Sequence, residues 1–271
     1  MKNPDSPRTL AGGFKPVDVR IIFFSDLDNT LIHSYKNARI GDICVETRNG
    51  RALSYISPNS YKLLRSVAES VEFVPVTTRS VEQYRRLSML GDNYPRFALV
   101  CNGAILLKDG EIDGEWADES RMLFEESIVR LPEYKKWLEG QPDFFYDTRL
   151  ADDFFIFAKR VSFAHFTEAL DNFVDHALFD LHFAFKKVYI MPKGLTKGAA
   201  VTRFMRTYGG GRYSVSAGDS ELDLSMLEAA DRALAPRDSR CQGLRENFEL
   251  ADGDDFCEFV LTRVKELIIG R

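Results

Sequence analysis

The 271 residues include only four cysteines, Cys44, Cys101, Cys241 and Cys257, with no C-x-x-C pair among them. That spacing excludes a disulfide framework and a structural zinc site, and it fits a reducing compartment. Histidine is as scarce: His33, His165, His176 and His182 show no metal-ligand spacing. The last three sit among phenylalanines, where a packed or half-exposed ring is expected rather than a ligand. No apolar run approaches the roughly 20 residues of a membrane span. Residues 1–17 are polar, with Pro and Gly, and lack the apolar core of a signal peptide, so a cytoplasmic chain is expected. No basic block interrupts a net charge of −5, which argues against a nucleic-acid surface. An acidic chain that handles anions must instead place single Lys and Arg residues where they are needed.

What is present is ordinary in bulk and specific in order. Apolar residues make up 45% and charged residues 28%, as in a globular protein long enough for one large α/β domain or a core with an insert. Ile21-Ile22-Phe23-Phe24 reads as a strand buried on both faces, and it runs into Ser25-Asp26-Leu27-Asp28. Arg48-Asn49-Gly50-Arg51 between two β-prone segments predicts a hairpin flap over 43–56. Ser57-Pro58 opens a helix carrying Tyr61, Leu64, Val67 and Ala68. Val71 to Val76 predicts a second buried strand ending at Thr77-Thr78-Arg79, with Pro75 unusual inside it. Ser80 to Gln83 forms a capping box before a helix with Tyr84, Leu87 and Leu90 on one side. Phe97 to Cys101 predicts a third strand, ending at Asn102-Gly103.

This strand–helix rhythm predicts a doubly wound, Rossmann-like parallel sheet over 18–114 and 192–271. Between them, 115–191 reads as helix, strand, strand, helix, strand, strand: an inserted α+β lid. Its first helical stretch is expected from about Glu119 to Glu139, broken at Pro132. Phe144–Arg149, Phe154–Val161, Phe179–Phe185 and Val188–Met191 are its strands, with a helix marked by Phe166, Leu170, Phe173 and Val174 between the pairs. The core resumes with a helix from Lys197, a strand Tyr213–Ala217 ending at Gly218-Asp219-Ser220-Glu221-Leu222-Asp223, a short edge strand Ala233–Ala235, and a C-terminal helix through Phe256 to Leu267.

Polar groups stand at four element ends of this sheet, where open α/β sheets bind ligands. Asp26, Asp28, Asp219 and Asp223 make an oxygen-lined site suited to Mg²⁺, which takes carboxylates together with water and substrate phosphate. Thr77 offers a hydroxyl, and the turn through Thr78 and Arg79 offers backbone N–H groups to an anion. Lys197 supplies a point positive charge suited to phosphate. The set points to phosphoryl transfer with Asp26 as covalent nucleophile and Asp28 as acid and base. Asp219 is the expected direct ligand and Asp223 an outer one. Taken singly, Thr77 is a strand-end residue, Asp223 an exposed helix acid, and Arg79 pairs with any surface carboxylate.

Asp26-Leu27-Asp28-Asn29-Thr30, Thr77, Lys197 and Gly218-Asp219-Ser220-Glu221-Leu222-Asp223, in that order, resemble the four motifs of the haloacid dehalogenase superfamily of phosphatases. The resemblance implies that 115–191 is a C2-type cap of the C2B form, similar to that of sucrose-phosphate and mannosyl-3-phosphoglycerate phosphatases. It further implies that Asn102, in a turn common to that group, joins Thr78 and Arg79 at the substrate. Thr78 stands where the subgroup has Gly, and Leu222 where it often has Asn, which leaves the subfamily and the substrate open. The expected activity is Mg²⁺-dependent hydrolysis of a small phosphorylated metabolite, with a phosphomutase or a non-catalytic phosphometabolite-binding regulator as alternatives. The polar lid residues Tyr146, Asp147, Arg149 and Arg160 are candidates for substrate contacts.

Overall fold

The computed structural model describes residues 21–89, 95–161, 166–184, 186–237, 246–253 and 255–270. Leu90, His165, Phe185 and Cys241 therefore lie outside the described residues, as do residues 1–17. Strand β1 (Ile21–Ser25) is buried along its whole length. Strands β2 (His33–Ser34), β3 (Ile43–Arg48) and β4 (Arg51–Ile56) form the flap, in the order β2-β4-β3. Its hairpin turns at Asn49 (φ 51°) and Gly50 (φ 73°), the left-handed pair that the right-handed strand twist favours.

Helix α1 (Pro58–Ala68) is capped by the Ser57 side chain and leads to β5 (Glu72–Pro75). Pro75 is tolerated because β5 bonds β1 on one side and meets the next strand through a single bridge, Val76 to Leu99. Helix α2 (Val81–Arg85) has the predicted capping box but lasts only five residues. Leu87, expected on its apolar side, bridges to Glu46 of the flap instead. Strand β6 (Phe97–Val100) pairs antiparallel with β7 (Ile105–Lys108), which pairs with β8 (Glu111–Ile112). The third parallel strand is thus joined to β5 by one bridge, and its main partner is a hairpin.

The helical stretch expected over 119–139 is three helices: α3 (Gly114–Leu123), α4 (Glu125–Ile128) and α5 (Leu131–Glu139). The first packs on the core rather than on the lid. Trp116 is buried there, donates Nε1–H to the Gly103 carbonyl at 3.0 Å, and lies beneath the Arg203 guanidinium. The insert's own sheet follows, from β9 (Phe145–Ala151), β10 (Phe155–Arg160), β11 (Phe179–Ala184) and β12 (Lys187–Pro192), with α6 (Phe166–Phe173) between its halves. It is antiparallel, in the order β11-β12-β10-β9. Ile156, Ala158, Val188 and Ile190 face Tyr134, Leu138 and Leu170 of its helices in a separate apolar core.

Helix α7 (Lys197–Phe204), β13 (Tyr213–Ala217), α8 (Leu224–Ala229) and β14 (Arg232–Pro236) return the chain to the main sheet. Strand β14, expected at the edge, is interior, because β15 (Phe248–Ala251) pairs outside it before α9 (Phe256–Ile269). The main sheet is parallel throughout, in the order β15-β14-β13-β1-β5. Ile21 and Phe23 face α9 residues Val260, Leu261 and Val264, while Ile22 and Phe24 face Val201 and Phe204 of α7. Helices therefore cover both faces, and the chain leaves β1 toward β5 but returns to its other side at β13. That switch opens a crevice at the carboxyl end of β1.

Candidate active site

Beyond β1 the Asp26 N–H still bonds the Ala217 carbonyl at 2.9 Å, so Asp26 stays in the sheet plane and is buried. The chain then folds over the Leu27 carbonyl, which accepts from Thr30, Leu31 and Ile32, with Asn29 at φ 65°. This turn sends Asp28 outward and Thr30 inward, where the Thr30 hydroxyl donates to Asp219 at 3.2 Å.

Lys197 begins α7, and its buried ammonium donates to Asp26 Oδ1 at 2.6 Å and to Asp223 Oδ1 at 2.5 Å. The second Asp223 oxygen accepts from the Ser220 amide and hydroxyl, which fixes the carboxylate from both sides. Gly218 is required at this turn, since a Cβ there would lie 2.4 Å from that of Asp223. Gly198 is required for the same reason, because a Cβ would meet the Ser225 carbonyl at 2.2 Å and push Lys197 out of place.

Oxygens of Asp26, Asp219 and Asp223 lie within 4.8 Å of one another. Burial pushes the Asp26 carboxyl up; Lys197 opposes this, while Asp223, Asp219 and Asp28 add to it. Burial, reinforced by Asp223, also raises Asp219 to about 6. Three carboxylates thus face one ammonium, and their oxygens are a hard donor set that fits a divalent cation of the Mg²⁺ type.

Asp28 stands outside that cluster. Its two oxygens receive Arg79 Nε–H at 2.8 Å and Nη2–H at 2.7 Å. Enclosure in the cleft works to raise the Asp28 carboxyl, but Arg79, then Lys187 and Lys197, hold it below the usual carboxylate range. Arg79 is itself anchored by Glu46 of β3 at 2.9 Å, and Glu46 also binds Arg86 and the Ser54 hydroxyl. Glu46 was not a sequence candidate, because nothing in Cys44-Val45-Glu46-Thr47 marks which acid of an exposed-looking flap turns inward.

Thr77 is buried, and its hydroxyl accepts the Arg79 N–H at 3.2 Å. Tyr189 of β12 lies close to Thr78, which brings the insert to the turn after β5. Asn102 is buried, its Oδ1 has no partner among the described residues, and its Nδ2 meets Met191 Sδ of β12 at 3.4 Å. Its Nδ2 donates to the Leu195 carbonyl at 2.8 Å and ties the end of β6 to the approach of Lys197. The insert is docked at a second point, where Asp152 in the β9–β10 turn accepts from the Val81 N–H at 2.7 Å and the Cys101 thiol at 2.8 Å.

The strand register divides the lid candidates. Arg149 lies opposite Phe157, and Phe155, Phe157, Tyr189 and Met191 pack toward the main core. Arg160 lies opposite Phe145 on the helix side, with its guanidinium over Phe183. It therefore cannot face the crevice. Asp147 binds Arg149 and Lys159, and Tyr146 is exposed beside Lys159. Sequence alternation gave two faces to each strand without saying which one meets the core, so Lys187 and Tyr189 were missed.

A parallel sheet open at a switch point, carrying three carboxylates and a lysine under an inserted α+β unit, defines a class of hydrolase. Residues 113–240 match the family of haloacid dehalogenase-like hydrolases, a stretch that includes the insert, Lys197, Asp219 and Asp223. Comparison with curated protein sequences gives no match. Among solved structures, the sucrose-phosphatase of Synechocystis sp. PCC6803 is 16% identical with a TM-score of 0.58, covering 92% of this chain and 98% of its own. A haloacid dehalogenase-like hydrolase from Bacteroides thetaiotaomicron is 14% identical with a TM-score of 0.59, covering 91% and 99%. A member of a phosphoryl-transfer superfamily, described with a trigonal-bipyramidal intermediate, is 14% identical with a TM-score of 0.60, covering 92% and 98%. At these identities the likeness is one of fold. Among the described residues, no helix is long and apolar enough to cross a membrane.

Proposed function

We propose that the protein is a Mg²⁺-dependent phosphatase that hydrolyses a small phosphorylated metabolite, a sugar phosphate or related phosphoester, through an aspartyl-phosphate on Asp26. The observation that carries this reading is the meeting of Asp26, Lys197, Asp219 and Asp223 at the carboxyl end of β1, with Asp28 two residues on. The unit from α4 through β12 is read as a C2-type cap, and the free thiols of Cys44, Cys101 and Cys257 suit a cytoplasmic location.

Asp26 attacks phosphorus, and the P–O bond to the leaving group breaks as Asp28 delivers a proton to that oxygen. Asp28 then takes a proton from water, which attacks the aspartyl-phosphate and releases phosphate. Held by Arg79, Asp28 is ionised before substrate arrives. A phosphate dianion entering beside it competes for the guanidinium and raises the affinity of the carboxyl for a proton. Lys197 holds the Asp26 oxygen in line and carries positive charge beside the transferring group. Asp26, Asp219 and Asp223 would hold the metal ion, which supplies charge to offset the repulsion between carboxylate and phosphate.

Phosphate release from p-nitrophenyl phosphate tests the reading. Activity is expected with Mg²⁺, is lost in chelator and returns when Mg²⁺ is added back. Absence of phosphate release at every Mg²⁺ concentration overturns it.

A further inference from the structure

We propose that the inner face of the insert's sheet holds a subsite, centred on Lys187, for a second anionic group on the substrate. The preferred substrate is then a phosphorylated acid or a bisphosphate rather than a neutral phosphoester. This rests on the phosphatase reading above and specifies the leaving group that the site selects.

Lys187 opens β12 directly opposite Lys159 of β10, so two ammonium side chains stand side by side on one face. Like charges directly opposite across antiparallel strands destabilise a sheet. The same face continues through Tyr189 and Met191, which pack toward the main core, so it is the face turned to the crevice. Lys159 and Arg149 share the single carboxylate of Asp147. Among the described residues, no carboxylate lies within ion-pair distance of Lys187. An acidic protein has therefore gathered more positive than negative charge at one spot, and Lys187 is near enough to Asp28 to influence its carboxyl. Asp28 is the group that meets the leaving oxygen. A cation on the opposite wall at that position meets whatever the leaving group carries next to the ester. A carboxylate or second phosphate there would relieve the Lys187–Lys159 repulsion, whereas a hydroxyl would leave it in place. The transferring phosphate already has Lys197 and the metal-binding carboxylates on the core side, so it does not call for Lys187.

The test compares matched pairs of esters: 2-phosphoglycerate against glycerol 2-phosphate for a carboxylate, and fructose 1,6-bisphosphate against fructose 1-phosphate for a second phosphate. The wild-type protein should favour the charged member of at least one pair by about tenfold in kcat/KM, as a close charge pair in a water-poor cleft provides. Which pair shows the preference identifies the anion. Lys187→Ala should abolish the ratio, Lys187→Glu should invert it, and Lys187→Arg should keep it. Ligand-induced shifts in Tm, read without turnover, should show the same preference and the same dependence on Lys187. Equal kcat/KM for both members of each pair in the wild type overturns the proposal. So does a Lys187→Ala variant that keeps the ratio while losing rate on every ester alike. Failure of the phosphatase reading looks different: no ester releases phosphate, and the Tm shifts alone then decide whether the anion subsite exists.

Discussion

Asp219 shows how one side chain ties the site to the stability of the protein. Burial and the neighbouring Asp223 raise its pKa in the folded state to about 6, while in the unfolded chain it titrates in the usual carboxylate range. The folded state thus binds the proton more tightly, and the stability this contributes is complete below about pH 4 and lost as pH rises through about 6. Metal-free protein should lose Tm over that window, and Mg²⁺ should restore it at the upper end, where the carboxylate is ionised. Thermal melts in chelator from pH 4 to 7 check this, with Asp219→Asn as the control whose profile should be flatter. Parallel profiles for the two proteins would show that Asp219 does not titrate in this range. Asp26, Lys197, Asp219 and Asp223 were legible in the sequence because each ends a recognisable strand or begins a helix. The hold of Arg79 on Asp28 was not, since it joins residues 51 apart whose side-chain directions no local pattern dictates.

At the scale of elements, the flap reaches the candidate site through Glu46. This buried carboxylate reaches from β3 to Arg79, and Arg79 in turn fixes Asp28, so under the proposed mechanism the flap would position the acid/base. Glu46→Gln keeps the shape but removes the charge that anchors the guanidinium. Its kcat should fall about tenfold on an alkyl phosphate, whose leaving oxygen needs the proton, and much less on p-nitrophenyl phosphate. Glu46→Asp should recover part of the difference. Equal losses on both esters would make Glu46 a structural group only. The hairpin itself was plain from Asn49-Gly50, and the starts of α1 and α2 from Ser57-Pro58 and the Ser80–Gln83 box, because turns and caps are local chemistry. Strand β15 was missed because only Phe248 and Leu250 alternate in it, too little pattern to stand apart from a loop. Helix α3 was read as part of the insert because sequence periodicity shows that a face is apolar, not which core it joins.

The whole molecule combines a parallel sheet with an insert docked on it at two points, the Asn102–Met191 contact and the Asp152 contacts with Val81 and Cys101. The doubly wound core was legible because β1 is a continuous apolar run and helices with an apolar face recur between the strands. The closeness of insert and core depends on pairings between residues 51 and 71 positions apart, at the Asp152 contacts with Cys101 and Val81, which no local pattern dictates. In the proposed mechanism this arrangement serves one atom pair, an Asp26 oxygen and the phosphorus it would attack. The most direct test is to quench the Mg²⁺-loaded protein in acid during turnover of p-nitrophenyl phosphate and map the phosphorylated peptide by mass spectrometry. A hydroxylamine-labile phosphate on Asp26, absent in Asp26→Asn together with turnover, is the predicted result. Full turnover in Asp26→Asn, or phosphate carried by a different residue, would contradict it.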